Sequence, residues 1–336
     1  MKAIVIQGKL ELVEVELPTP EPQAGEVRLR MAYGGICGSD LHYYHEGANG
    51  SFVVREPLVP GHELSGTVDL DPSGALAPGT PVTIHPATFG TPLRGIEDRP
   101  HLWPDGAYLG SASTWPHTQG GMSEFVVVRN DMVRALPASL PLRRAALAEP
   151  LAVALHAIEI AGGVRGRRVL VSGSGAIGLL TVAAAVLAGA IEVVATDVLP
   201  GPLQRAGRLG AHRTVQVGTD EIPSEYFDTV FECTAVPAAM SAGLAAARRG
   251  AVVVLVGIPA DEARPVNLAP LVSRELQLRG TLRFNNEIDH AVELLAAHPH
   301  LEQIVTHEYP ADQAVDAFAT ASDSDASGKV LLSLWL

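Results

Sequence analysis

Apolar and polar positions alternate with a period of two in short runs near the start of the chain. Residues 10–16 interleave Leu and Val with Glu, the mark of a strand with one face in water. Pro18, Pro20 and Pro22 break that run, and residues 26–32 alternate again before Gly34-Gly35. Further short strands are expected at 65–70, 80–85 and 125–129. Together they predict a small antiparallel β-barrel or sandwich.

The period changes near Leu142. Residues 143–161 are rich in Ala and Leu and read as a helix ended by Gly162-Gly163. Strands at 169–172, 192–196, 229–233 and 252–256 then alternate with helices at 178–188, 203–209 and 238–247. Such alternation predicts a parallel sheet wrapped by helices, and hence an α/β protein. Residues 287–297 and 312–319 read as late helices, and 330–335 as a last strand. That strand must pair with something, and the sheet of the first domain is the expected host. The first domain is therefore discontinuous, residues 1–142 with 285–336, and the second spans 143–284. Residues 169–191 carry no formal charge, long enough to raise the question of a membrane span. Four glycines and several hydroxyl side chains interrupt the run, so strand, Gly turn and buried helix explain it better.

The 336 residues carry a formal net charge of −13, which argues against nucleic acid or an anionic membrane surface as partner. Lysine occurs only at positions 2, 9 and 329; the other basic residues are Arg, a compositional bias. Two cysteines, Cys37 and Cys233, exclude a disulfide scaffold and suit a reducing compartment. The N-terminus runs straight into an alternating strand without an apolar signal core, so a cytoplasmic location is expected.

Two sets of residues carry chemistry. Gly173-Ser174-Gly175-Ala176-Ile177-Gly178 follows an apolar strand and opens a helix, and Asp197 ends the next strand. That context identifies a dinucleotide fingerprint. The glycines provide the tight turn, close approach to the pyrophosphate, and helix–strand packing. The helix N-terminus would meet the phosphates. Asp197 would take the adenine ribose hydroxyls, favouring NAD over NADP. Thr234, Val256, Gly257 and Leu282, near the ends of later strands, are further cofactor-binding candidates.

The second set joins Cys37, His62-Glu63 and Glu149 into one zinc site. Catalytic zinc takes three protein ligands and keeps one position open; Cys37 and His62 suit it, and Glu63 and Glu149 compete for the third place. A Lewis-acid metal beside a nicotinamide is the equipment for moving a hydride to or from an alcohol carbon. Ser39 and His42, two and five residues beyond Cys37, offer the released proton a route to solvent.

The stretches GGICGSDLHYY (34–44), GHE (61–63), GG (120–121), AEPLAVALHA (148–157), the glycine fingerprint and LRGTLRF (278–284) are spread over nearly the whole chain. Through them the sequence resembles the zinc-containing medium-chain dehydrogenases of the sorbitol dehydrogenase type, and within these the L-idonate 5-dehydrogenases. The resemblance implies a GroES-like β-barrel catalytic domain and a Rossmann doubly wound domain, with the active site in the cleft between them. It implies Cys37, His62 and Glu63 as the zinc ligands, with Glu149 ligating directly or through water. It implies that Tyr43 lies near the substrate with Ser39, and that Arg283, next to Phe284, contacts substrate hydroxyls or a carboxylate. The implied reaction is NAD-linked oxidation of a secondary alcohol on a polyol or aldonate, foremost L-idonate to 5-ketogluconate. Sorbitol, xylitol, threonine, a cyclitol or a simple secondary alcohol are alternatives. A non-catalytic NAD(P)-binding redox sensor is a rival of another class, against which the intact Cys37, His62, Glu63, Glu149 and Ser39 argue. A homodimer or homotetramer is expected, and the apolar 251–255 strand is a candidate for extending the sheet across a subunit interface.

There is one departure from the family. Many relatives hold a structural zinc on four cysteines, but residues 89–103 contain none; Phe89, Pro92, Gly95 and Trp103 stand at those positions. One catalytic zinc per chain is expected, with the lobe held by packing around Trp103 or left mobile. His85, His101 and His117 read as ordinary loop histidines, and Cys233 as a small buried residue beside the cofactor.

Overall fold

The computed structural model describes residues 1–335. The chain divides into two compact units. The first comprises Met1–Glu149, Ile288–Asp323 and residues 329–335; the second comprises Pro150–Glu287 and Ser324–Gly328. These boundaries fall a few residues later than 142 and 284, and a short late segment joins the second unit.

The first unit is built on a seven-stranded sheet around the strand Glu26–Gly35. Its alternation buries Val27, Leu29 and Met31 completely, against Leu64, Ile84 and Leu332 among others. Glu63–Leu70 pairs antiparallel with it, placing Glu63 opposite Gly35. Phe125–Arg129 also pairs with it. The C-terminal strand Lys329–Ser333 runs antiparallel to it, with Leu331 opposite Gly35, and pairs on its other side with Val305–Pro310. The last strand thus finds its host in the first domain's sheet, as its pattern requires. Lys2–Gly8 and Glu11–Glu16 form a separate antiparallel pair.

The second unit holds a six-stranded parallel sheet. Its order is Arg213–Gln216, Glu192–Asp197, Arg168–Ser172, Phe227–Glu232, Ala247–Leu255, Gln277–Gly280. Numbered along the chain this is 3-2-1-4-5-6, the doubly wound dinucleotide-binding order. Helix Ala176–Leu187 follows the first strand and is apolar throughout because it is buried along most of its length. The uncharged run therefore resolves into strand, turn and helix, and no helix among the described residues is long and apolar enough to cross a membrane.

Three local expectations change. The helix expected over 143–161 is two helices, Leu142–Ala145 and Ala148–Ile160. Gly38–Glu46 is a helix that hydropathy does not announce, because its GSDLHYYHE sequence is mostly polar. The apolar 251–255 segment is paired on both sides and is no edge; the outer strand is Gln277–Gly280.

Arg205 ties the late segment into the second unit. Its guanidinium donates to the carbonyls of Ser324 (2.7 Å), Asp325 (3.0 Å) and Ala326 (3.3 Å) and is 7 % exposed. Hydrogen bonds from charged donors contribute about 1.5–3 kcal/mol each. Arg205→Ala is therefore expected to destabilise the protein by about 2–4 kcal/mol, read as a lower denaturant midpoint with little change in slope.

Candidate metal centre and dinucleotide site

The metal centre lies within the first unit. Cys37 caps the N-terminus of helix Gly38–Glu46 in a capping box: its sulfur accepts from the Asp40 backbone N–H, and Asp40 Oδ2 accepts from Cys37 N at 2.9 Å. Asp40 is completely buried, and its other oxygen accepts from Gly61 N at 3.2 Å. One carboxylate thus joins the cysteine loop to the loop carrying His62. Gly61 adopts φ +97°, and a Cβ there would lie 2.7 Å from Met122 Cγ, so this position requires glycine.

Beyond this turn His62 and Glu63 enter their strand. A Cβ on Gly35 would lie 2.1 Å from Glu63 Oε2, so the glycine opposite makes room for the carboxylate. Ligand atoms of Cys37, His62 and Glu63 all lie within 4.8 Å of one another. Glu149, at the start of helix Ala148–Ile160 and 5 % exposed, falls outside that trio and accepts from the Tyr108 hydroxyl at 2.5 Å. The Tyr108 ring meets His62 edge-on, centroids 5.4 Å apart. Lys329, 2 % exposed, donates to Glu63 Oε1 at 2.7 Å and to the Ile36 carbonyl at 3.0 Å.

The electrostatics call for a cation. Burial opposes protonation of His62, but the neighbouring Cys37 sulfur outweighs it and pushes the pKa up to about 10. Burial likewise disfavours the Lys329 ammonium, yet Glu63 and Cys37 overcome it and raise its pKa. Burial pushes Asp40 above the usual carboxylate range, and burial with Glu63 does the same to Glu149. His62 Nδ1 and Glu63 Oε2 are buried without a hydrogen-bond partner. A thiolate, an imidazole and a carboxylate converging with unspent lone pairs fit a zinc ion.

Other expected residues lie as follows. Ser39 is half-buried in the first turn of the Gly38–Glu46 helix. His42 is exposed, its Nδ1 3.2 Å from Glu46 Oε1. Tyr43 is buried, and its hydroxyl accepts from Ala112 N at 3.1 Å and shares a hydrogen bond with Ser111 at 3.3 Å. Arg283, in the second unit, is half-buried with φ +51°; Phe284 beside it is buried. His85 and His117 each accept a backbone N–H, from Ala87 and Arg55 respectively, as loop histidines do. The 89–103 lobe is held by Trp103 Nε1 donating to the Ile96 carbonyl at 2.9 Å and Thr91 N donating to the Pro104 carbonyl at 2.9 Å.

In the second unit Gly173 has φ +89°, and a Cβ on Gly178 would lie 1.9 Å from Gly173 O. A Cβ on Gly175 would meet nothing within 4 Å, and Gly175 caps helix Ala176–Leu187. This leaves space at a helix N-terminus for a pyrophosphate. Asp197 accepts from Ser174 N at 2.8 Å and Leu199 N at 3.0 Å. Glu232, fully buried, accepts from Thr234 N at 2.8 Å and Ala235 N at 3.0 Å. Leu282 is exposed, and Val256 N and Gly257 N both donate to the Glu232 carbonyl. Burial pushes the Cys233 thiol up, with Glu232 adding to the shift, so it is no nucleophile near neutrality.

Comparison with known proteins agrees with this geometry. Residues 23–138 match the alcohol dehydrogenase GroES-like domain and residues 176–297 the zinc-binding dehydrogenase family. Sorbitol dehydrogenase of Gallus gallus is 38% identical, over 95% of this chain and 92% of its own. L-idonate 5-dehydrogenase (NAD(P)(+)) of Escherichia coli K12 is 35% identical over 98% of each. The crystal structure of Escherichia coli L-idonate 5-dehydrogenase superposes with a TM-score of 0.91 at 33% identity, covering 99% of this chain and 97% of that one. The chain belongs to the zinc-binding alcohol dehydrogenase family, of the sorbitol dehydrogenase type, and is an oxidoreductase.

Asp40, Tyr108 and Lys329 are site residues that sequence reasoning misses. Asp40→Ala leaves the amides of Cys37 and Gly61 without their acceptor, at about 1–3 kcal/mol each. The variant is expected to lose about 2–5 kcal/mol of stability and to retain zinc about 10- to 100-fold less tightly, as for other residues that orient ligands. Metal content after chelator challenge checks this.

Proposed function

We propose that this dehydrogenase oxidises a secondary hydroxyl of a polyol or aldonate to a ketone with NAD as hydride acceptor, L-idonate to 5-ketogluconate being the foremost reaction. The observation that carries this reading is the convergence of Cys37, His62 and Glu63, with His62 Nδ1 and Glu63 Oε2 buried and unpartnered. These three would hold zinc, which supplies Lewis-acid polarisation of the substrate oxygen when bound. Glu149, held by Tyr108, would orient a water or ligate in turn. Ser39 and His42 lie three residues apart on one helix, hence on neighbouring positions, with Ser39 half-buried and His42 in solvent. That gradient suits a proton relay. Arg283 would read a carboxylate or hydroxyl remote from the reacting carbon, with a charge-assisted bond. Tyr43, its hydroxyl engaged with Ser111 and Ala112, would act on the substrate through that loop of the first unit. One catalytic zinc per chain is proposed and no four-cysteine zinc, since the 89–103 lobe has no cysteine. A homodimer or homotetramer is consistent with the outer strand Gln277–Gly280, next to the exposed Val272 and Leu282.

Sorbitol is the second reading, favoured by the sorbitol dehydrogenase relative at 38% identity. NADH formation on a panel of L-idonate, sorbitol, xylitol, threonine and 2-propanol tests both. A site whose polar groups need partners rejects substrates lacking them. 2-Propanol is therefore expected to be poor, and Arg283→Ala to lower kcat/KM about 10- to 100-fold on the aldonate and less on neutral polyols. Equal losses would shift the assignment to sorbitol. Cys37→Ala is expected to abolish turnover and zinc retention while NAD binding persists; if the metal stays bound, the ligand set is wrong.

Asp197 supports the choice of NAD. Its carboxylate is fixed by two backbone amides, so it cannot swing away from a 2′-phosphate. The like-charge contact costs about 1–3 kcal/mol, or roughly ten- to a hundred-fold in favour of NAD. Similar kcat/KM with NAD and NADP would refute this role for Asp197.

A further inference from the structure

One cluster of ligating side chains stands apart from the zinc and dinucleotide sites. His156 and Glu159 lie three residues apart on helix Ala148–Ile160 and share a face of it. Glu287 is the first residue of helix Glu287–Ala297 and the last of the second unit before the chain returns to the first. Ligand atoms of all three lie within 4.8 Å of one another. His156 Nδ1 is 2.6 Å from Glu287 Oε1, and the two side chains are only 7% and 11% exposed. Glu287 Oε2 accepts from Asn285 N at 2.6 Å, which fixes the carboxylate. Glu159 is exposed and gives the cluster its opening to solvent.

The balance of charge within the cluster is unusual. No lysine or arginine forms an ion pair with Glu159 or Glu287 among the described residues, so the two carboxylates face each other with one imidazole between. One divalent cation would serve both carboxylates at once.

We propose that His156, Glu159 and Glu287 form a second divalent-cation site, independent of the Cys37 centre. One imidazole and two carboxylates are donors for Mn²⁺, Fe²⁺ or Zn²⁺, and the nitrogen ligand disfavours Mg²⁺ and Ca²⁺. With the imidazole neutral, the two carboxylates supply two negative charges, which a divalent ion cancels. Two ligands are buried and fixed, and the third is exposed and closes over the ion. The open side leaves room for water to complete the coordination.

Mn²⁺ is the discriminating probe, because a thiolate site keeps zinc while oxygen and imidazole donors accept manganese. The full-length, zinc-loaded protein is titrated with Mn²⁺, and free Mn²⁺ is followed by electron paramagnetic resonance. One Mn²⁺ per chain is expected to bind. Glu159→Gln, a change at an exposed position, should weaken it by about tenfold or more, and Glu287→Gln further. Cys37→Ser should leave Mn²⁺ affinity unchanged, so that failure here is separable from failure of the zinc assignment. The absence of saturable binding at millimolar Mn²⁺, or equal binding by wild type and Glu159→Gln, would overturn the proposal. Binding lost in Cys37→Ser but kept in Glu159→Gln would place the ion in the first centre and overturn it as well.

Discussion

The first unit is organised around an excess of buried negative charge. Half-buried Cys37 and buried Asp40, Glu63 and Glu149 each act on His62 or Lys329, the groups able to answer them. Burying such a set is costly unless each charge is paired or coordinates a metal. The demand explains features that otherwise look unrelated. The last strand of the chain must return to the first sheet, because it brings Lys329 to Glu63. Gly35 must lack a side chain, because Glu63 occupies the space one would take. A divalent cation completes the balance, so metal binding and folding of this centre are linked.

A second device recurs in both units. Asp40, Asp197 and Glu232 each use both carboxylate oxygens to accept backbone N–H groups. Asp40 joins the cysteine loop to the histidine loop, and Asp197 joins the glycine turn to the segment after the next strand. Glu232 braces the turn that follows its own strand, against which Gly173 packs closely through Thr234. Loops need their amides satisfied, and a carboxylate satisfies two from different segments at once. The cysteine, histidine and glycine-turn loops are thus positioned by acidic side chains.

The sequence carried the architecture well where the period was clean. The change from alternation by two to alternating strands and helices marks the two units, and the glycine fingerprint marks the dinucleotide turn. It carried less where tertiary contacts decide. Helix Gly38–Glu46 has no apolar stripe and is set by the Cys37–Asp40 capping box. Residues 251–255 read as a possible edge because they are apolar, yet apolarity on both faces is what an interior parallel strand has. Lys329 had one visible signal: one of only three lysines in an arginine-biased chain, at the head of an apolar strand. Asp40 and Tyr108 had none, since nothing local tells a buried Asp from an exposed one or pairs Tyr108 with Glu149.

The lobe without cysteines shows the limit of reading a site by what it lacks. Residues 89–103 contain no cysteine, yet they must still be closed. Here the Trp103 indole donates to the Ile96 carbonyl, and the Pro104 carbonyl accepts from Thr91. A Cβ at Gly90 would lie 1.7 Å from the Pro104 oxygen, so two strands of the lobe approach closely only because this position is glycine. Ala87–Thr88 and Ala107–Tyr108 then pair at its base. This pairing sets the backbone of Tyr108, whose hydroxyl holds Glu149. The lobe is thereby connected to the zinc centre through one short strand, and a change that loosens it would be felt at Glu149 before it was felt at Cys37, which a different helix positions.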